Sequence, residues 1–137
     1  MEKYESALKF EKYIVNEIHF ITNKDFKSED NKIPLNLKIS KKTEIEENNH
    51  MKINLNVNVF KGAREYNYPY EIEMNITGYF SAQGEKVERF EKNAIAILYP
   101  YVRSIISTYT ANANVTPLLL QAINVNKLIE QQSKEEN

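Results

Sequence analysis

The chain of 137 residues contains no cysteine and no tryptophan, and it has only two histidines and three glycines. Without cysteine there is no disulfide, no thiolate nucleophile and no sulfur-ligated metal, which is typical of a protein from a reducing compartment. The glycines are isolated, so no glycine-rich loop is available to hold a phosphate group. His19 and His50 lack further ligands at metal-binding spacing. We therefore expect no metal, no cofactor and no enzymatic activity.

Neither positive nor negative charge is in large excess, because 18 Lys and Arg nearly balance 19 Asp and Glu, for a net charge of -1. Such a chain has no field that attracts nucleic acid or an acidic membrane. The first residues lack a basic segment followed by an apolar run, and no stretch is long and apolar enough to cross a bilayer. We expect a single cytoplasmic domain over residues 1–137 with flexible ends at 1–6 and 133–137, no nucleic-acid binding and no membrane insertion.

The first predicted element runs from Ala7 to Ile21 and alternates apolar with polar residues, as a half-buried strand does. The residues predicted to face the core are Leu8, Phe10, Ile14, Ile18 and Phe20. Tyr13 and Val15 fall on the opposite face, so the strand could twist, contain a bulge, or bury part of both faces against a second subunit. A helix is the alternative for this segment.

Three more strands are predicted from the same alternation. The second includes Leu35, Leu37 and Ile39, with Pro34 at its start. An acidic turn over residues 44–50, with Asn48-Asn49 at its tip, leads to the third strand at 51–59. After a turn at 60–65, the fourth strand carries apolar and aromatic residues at Tyr66, Tyr68, Tyr70, Ile72, Met74 and Ile76. The third and fourth strands should be antiparallel neighbours.

A long helix follows, with one apolar face formed by Ile95, Leu98, Val102, Ile105 and Tyr109 and with Pro100 inside it. Ile97, Tyr101 and Ile106 lie off this face, and this excess of apolar surface predicts self-association. The expected interface residues are Ile95, Leu98, Val102, Ile105, Ile106 and Tyr109. An apolar loop from Val115 to Leu120 around Pro117 and a short helix at 124–132 complete the chain. The predicted fold is α+β, a four-stranded antiparallel sheet with a long and a short C-terminal helix.

Two motifs resemble the SecB family of export chaperones. Tyr99-Pro100-Tyr101-Val102-Arg103 is similar to the aromatic-Pro-Tyr-Ala-Arg run of the family's long helix, and Gly78-Tyr79-Phe80-Ser81 is similar to the end of its last strand. The loop and the start of the second helix look like those of the family at Pro117-Leu118, Leu120, Ile123-Asn124 and Leu128. The resemblance extends over about residues 8–129 with matching element order. The chain departs from the family pattern at Ser104, Ala113 and Ala122.

The resemblance implies an ATP-independent holdase that keeps unfolded or precursor proteins competent for the Sec pathway. It also implies a homotetramer, a dimer of dimers with the long helices at the central interface. By position, the implied client-binding residues are Tyr79, Phe80, Tyr99, Tyr101, Val115, Leu118 and Leu120. Glu71 and Glu73 are the implied residues for docking to the translocation motor SecA. The alternative is a chaperone dedicated to one partner, such as the antitoxin of a toxin-antitoxin system.

The row of Tyr66, Tyr68 and Tyr70 has two interpretations. It is either a sheet face covered by the helices or part of a groove for clients, because tyrosine combines a large rigid contact area with a polar group.

Overall fold

The computed structural model of the protein describes residues 7–27, 33–115 and 118–136. Four strands form one sheet in the order β1-β4-β3-β2, and every neighbouring pair is antiparallel. The strands are β1 (Leu8–Thr22), β2 (Leu37–Glu46), β3 (His50–Val59) and β4 (Tyr70–Ala82). The helices are α1 (Ala63–Tyr66), α2 (Glu91–Asn112), which follows a 3₁₀ turn at Val87–Phe90, and α3 (Val125–Glu136). The predicted α+β fold is confirmed.

Strand β1 contains two bulges, and they change which side chains face the core. The register with β4 shifts between Phe10 and Lys12 and again between Val15 and Glu17. Each extra residue reverses the alternation of the strand. Phe10, Val15 and Phe20 therefore pack on the core, whereas Ile14 is 42% exposed. The prediction that Ile14 faces the core is wrong, and the helix alternative is wrong as well.

The β2–β3 hairpin is tighter than the sequence predicted. β2 continues to Glu46 and β3 begins at His50, so the turn is confined to the residues between them. The turn has three residues, 47–49, and Asn48 and Asn49 in it have φ values of 60° and 57°, the left-handed conformation that asparagine tolerates. Leu35 lies before β2 and is exposed, so its assignment to the strand is wrong. The strict alternation predicted for β3 is confirmed.

The predicted tyrosine row is divided between three environments. Tyr70 is the first residue of β4 and is buried. Tyr68 packs on Phe60, with ring centroids 5.0 Å apart, but it precedes the strand. Tyr66 ends the short helix α1 and is exposed. The interpretation as a covered sheet face therefore holds for Tyr70, and the strand begins four residues later than predicted.

Both larger helices pack on the apolar side of the sheet, and α2 lies above β1, β3 and β4. Helix α3 packs along β2 and extends to Glu136, so the flexible end predicted from residue 133 is wrong for residues 133–136. Residues 1–6, Asn137 and two positions of the apolar loop, Thr116 and Pro117, lie outside the described residues.

Helix α2 approaches β4 most closely at Gly78. A Cβ atom added to this residue would lie 2.8 Å from Phe80 Cε2 and 3.1 Å from both methyl carbons of Leu98. These distances are too short for ordinary van der Waals contact, and both neighbours are fully buried. Glycine at this position therefore determines how closely the helix can lie on the sheet.

We expect Gly78→Ala to destabilise the fold by about 1–3 kcal/mol, because the added methyl group has no space between Phe80 and Leu98. Chemical denaturation of this variant and of Ser81→Ala, a control three residues along the same strand, measures the difference in unfolding free energy. Equal unfolding free energies for the two variants would show that the contact is not close-packed.

Candidate functional site on the two flanks of helix α2

One face of α2 belongs to the core of the protomer. Ile95, Leu98, Val102 and Ile106 are all at most 1% exposed, because this face lies on the sheet. The prediction that these four residues form an oligomer interface is wrong, since they offer no surface to a second copy. Of the predicted set, Ile105 is half-buried and Tyr109 is 37% exposed. The helix therefore presents its remaining apolar surface on its flanks.

The first flank faces β1 and forms what we call the β1-side strip, which consists of Tyr13, Ile97, Tyr101, Ile105 and Tyr109. The four helical residues recur every four positions, so they lie along one line of the helix. The ring of Tyr101 lies 4.7 Å from that of Tyr13 and 5.5 Å from that of Phe10, and Tyr109 lies 5.6 Å from Phe20. These ring contacts hold the partly exposed tyrosines of the strip in place.

The opposite flank faces the loop between α2 and α3, and three hydrogen bonds attach the loop to the helix. Arg103 Nε donates to the carbonyl oxygen of Leu120 at 2.8 Å. The Tyr99 hydroxyl donates to the carbonyl oxygen of Gln121 at 3.3 Å. The backbone N–H of Leu118 donates to Thr110 Oγ1 at 2.9 Å. These bonds hold residues 118–121 of the loop against the helix, although this part of the loop has no regular structure.

Burial of Tyr99 keeps its hydroxyl group protonated, so that it can donate the hydrogen bond to the loop. Removal from water raises the pKa of its hydroxyl, and the nearby charge of Arg103 offsets only part of that effect. The hydroxyl group is therefore neutral at physiological pH and remains a hydrogen-bond donor.

Between α2 and this loop lies a groove of about 350 Å³, which we call the loop groove. Its walls are formed by Ala96, Tyr99, Pro100, Arg103, Ala122, Ile123, Asn124, Val125 and Asn126. Pro100 has no N–H, so the carbonyl group of Ala96 in the groove wall lacks its partner within the helix. Of the wall residues, Ile123 is 42% exposed. Leu119, four residues earlier in the same loop, is 75% exposed. The groove thus combines apolar walls with a backbone acceptor.

The residues predicted to bind clients do not form one surface. Phe80 is 0% exposed and Leu120 is 4% exposed, so their assignment to a surface is wrong: they pack in the core. Tyr99 is also only 4% exposed, but it lines the loop groove. Val115 and Leu118 are half-buried at the edge of the core. The predicted set omits Ile123, which lines the groove, and Leu119, which is exposed in the same apolar run as Leu118 and Leu120.

Tyr79 lies on the other face of the sheet, away from the helices. Its ring lies between two lysines, with Lys12 Nζ 4.9 Å and Lys52 Nζ 5.6 Å from the ring centroid. This face is otherwise polar, and its centre is a hydrogen-bonded network of side chains from three strands. The network consists of Asn16, Asn54, Asn75 and Thr77. Tyr79 therefore cannot share a site with Tyr101.

Glu71 and Glu73 both lie on this polar face. Glu71 Oε2 accepts hydrogen bonds from the backbone N–H groups of Gly62 at 2.9 Å and Ala63 at 3.4 Å. This carboxylate therefore holds the turn between β3 and β4. Glu73 is exposed, so its carboxylate is the more accessible of the two.

Within residues 7–27, 33–115 and 118–136, no three acidic or histidine side chains come together as a possible metal site. In the same part of the chain, none of the helices has the length and hydropathy of a membrane span.

Comparison with known proteins gives a family match over nearly the whole chain. The family model described as "SecB: Preprotein translocase subunit SecB" matches residues 4–136. An uncharacterized protein of Methanocaldococcus jannaschii is 38% identical over 139 residues, which cover 96% of this chain and 89% of that protein.

Two solved structures share the fold. The SecB-like chaperone of Mycobacterium tuberculosis, solved in complex with a peptide of the HigA1 antitoxin, superposes with a TM-score of 0.64 at 11% identity. That comparison covers 85% of this chain and 88% of the other. A protein of unknown function from Streptococcus agalactiae has a TM-score of 0.54 at 15% identity, covering 83% of this chain and 96% of the other.

Proposed function

The chain belongs to the SecB family, and we propose that it is an ATP-independent holdase that binds extended segments of non-native polypeptides in the loop groove. The observation that carries this proposal is the large apolar side chain of Ile123, exposed in the wall of a concave surface, with the exposed Leu119 four residues earlier in the same loop. Exposed apolar patches of this kind mark surfaces for partners. A cytoplasmic location is part of the proposal.

The chemistry of the groove suits clients of many sequences. Apolar walls bind apolar side chains without strict directional requirements. The Ala96 carbonyl group provides an acceptor for a client backbone N–H, which every residue except proline carries. The groove thus recognises features shared by all unfolded chains and does not require one particular sequence.

We assign the β1-side strip to self-association, as a homodimer or a dimer of dimers. The strip is a regular line of partly exposed apolar and aromatic side chains, whereas the loop groove is concave. Such a strip can pack against its own copy across a two-fold axis, because each copy then presents the same side chains to the other. The two flanks of α2 would then have separate roles, one for clients and one for a second copy.

A general export role and a dedicated role differ in their partners. The M. tuberculosis neighbour was solved with an antitoxin peptide, which favours a dedicated client as the second candidate function. For the export role, we assign docking to SecA to the exposed carboxylate of Glu73.

Two results together would favour export. The protein would suppress aggregation of several unrelated proteins, and it would bind SecA in a way that Glu73→Lys abolishes. Strict dependence on one client would favour the dedicated role.

We expect the double variant Leu119→Ser with Ile123→Ser to bind unfolded clients about tenfold to a hundredfold more weakly than the wild type, because two apolar anchors are lost. The midpoint of thermal unfolding should change little, since both side chains are exposed. The matched control is Ile14→Ser with Ile21→Ser, which removes two exposed isoleucines from the opposite face of the sheet. Client affinity and aggregation assays compare the two. Equal losses in both variants would contradict the assignment.

Sedimentation at micromolar concentration should show a dimer or tetramer of the wild type, and the double variant Tyr101→Asp with Tyr109→Asp should be monomeric. Two carboxylates placed in the strip would have to be buried without partners on association. Tyr66→Asp, which charges another exposed tyrosine, is the control and should leave the assembly intact. A monomeric wild type would refute this assignment.

A further inference from the structure

The side chain of Gln132 in α3 is hydrogen-bonded to the open edge of β2. The backbone N–H of Ile39 donates to Gln132 Oε1 at 2.8 Å, and Gln132 Nε2 donates to the carbonyl oxygen of Leu37 at 2.8 Å. A neighbouring strand would use one acceptor and one donor in the same way. The carboxamide group of Gln132 therefore supplies the acceptor and the donor that backbone groups of an additional strand would provide at Ile39 and Leu37.

Gln132 covers only one end of this edge. In an antiparallel pair, the backbone groups of successive residues point alternately toward and away from the partner strand. The Asn36 carbonyl accepts from Phe60 on the β3 side, whereas Leu37 and Ile39 point outward to Gln132. The alternation along the β2–β3 register places the N–H and C=O groups of Lys41, Thr43 and Ile45 on the same outward side.

The last turn of α3 is held less firmly than the beginning of the helix. Val125 and Ile129 are buried, and Asn126 Nδ2 donates to the Lys92 carbonyl at 2.9 Å. Near the end of the helix, the neighbours of Gln132 are exposed. Cavities of about 450 Å³ lie on both sides of the Gln132 side chain. Displacing the Gln132 side chain therefore breaks its two hydrogen bonds to β2 but uncovers little apolar surface.

We propose that the edge of β2 from Ile39 to Ile45 binds an extended segment of a client polypeptide as a fifth strand, and that Gln132 occupies the start of this site until the client displaces it. This inference rests on the proposed holdase function and adds a backbone-binding surface to it. Backbone groups supply the affinity in such strand addition, so it is largely independent of the client sequence. A primary amide already bound at the edge supports a peptide as the occupant.

The test compares Gln132→Ala with Gln131→Ala, a neighbouring exposed glutamine, using reduced and carboxymethylated α-lactalbumin as the unfolded client. Gln132→Ala should bind this client about threefold to tenfold more tightly than the wild type, because two competing hydrogen bonds are gone. Gln131→Ala should bind it with wild-type affinity. Thermal unfolding of each variant confirms that α3 remains folded.

Hydrogen exchange provides a second readout that requires no substitution. The N–H groups of Lys41, Thr43 and Ile45 should exchange more slowly when the client is bound. The inference fails if the wild type binds the client but Gln132→Ala binds it with the same affinity and these amides gain no protection. The proposed holdase function would still stand in that case. If the wild type binds no client, the inference and the proposed function both fail. Protection that increases with protein concentration in the absence of client would indicate pairing with a second copy and would overturn the inference.

Discussion

The close contact between α2 and β4 at Gly78 is the constraint on which the other features depend. Because this residue has no side chain, Leu98 can lie directly on the strand. One face of the helix is therefore buried in the core. The position of the helix then determines which of its side chains lie on the two flanks. Tyr101 and Tyr109 emerge on the β1 side, while Tyr99 and Arg103 bind the loop on the other. A helix that lay farther from the sheet would not hold the side chains of either flank in these positions.

The proposed function follows from surfaces and not from reactive groups. The loop groove combines apolar walls with a carbonyl group that Pro100 cannot pair within the helix, and the β2 edge adds a row of backbone donors and acceptors. In the proposed function both surfaces bind what all unfolded chains share, namely apolar side chains and peptide groups. Opposite flanks of one helix would allow self-association and client binding to occur together.

The sequence alone predicts the larger part of the fold, because alternation and helical spacing are local patterns. The strand at 51–59 and the apolar stripe of α2 are clear for this reason. Ile14 was misplaced because a bulge is a property of strand pairing and leaves no local pattern. The prediction of an oligomer interface at Leu98 and Val102 is wrong because a stripe that packs on its own sheet has the same spacing as one that packs on a second copy. The bond from Gln132 to β2 joins residues 93 positions apart, a separation no local pattern reveals.

The central claim is that the two flanks of α2 have different partners, and site-specific photo-crosslinking tests it most directly. A photoreactive phenylalanine analogue is placed at Tyr109 in one preparation and at Leu119 in another, and each is irradiated with an unfolded client present. We expect crosslinks from position 119 to the client and from position 109 to a second copy of the chain. Crosslinks to the client from position 109 with none from position 119 would contradict the account.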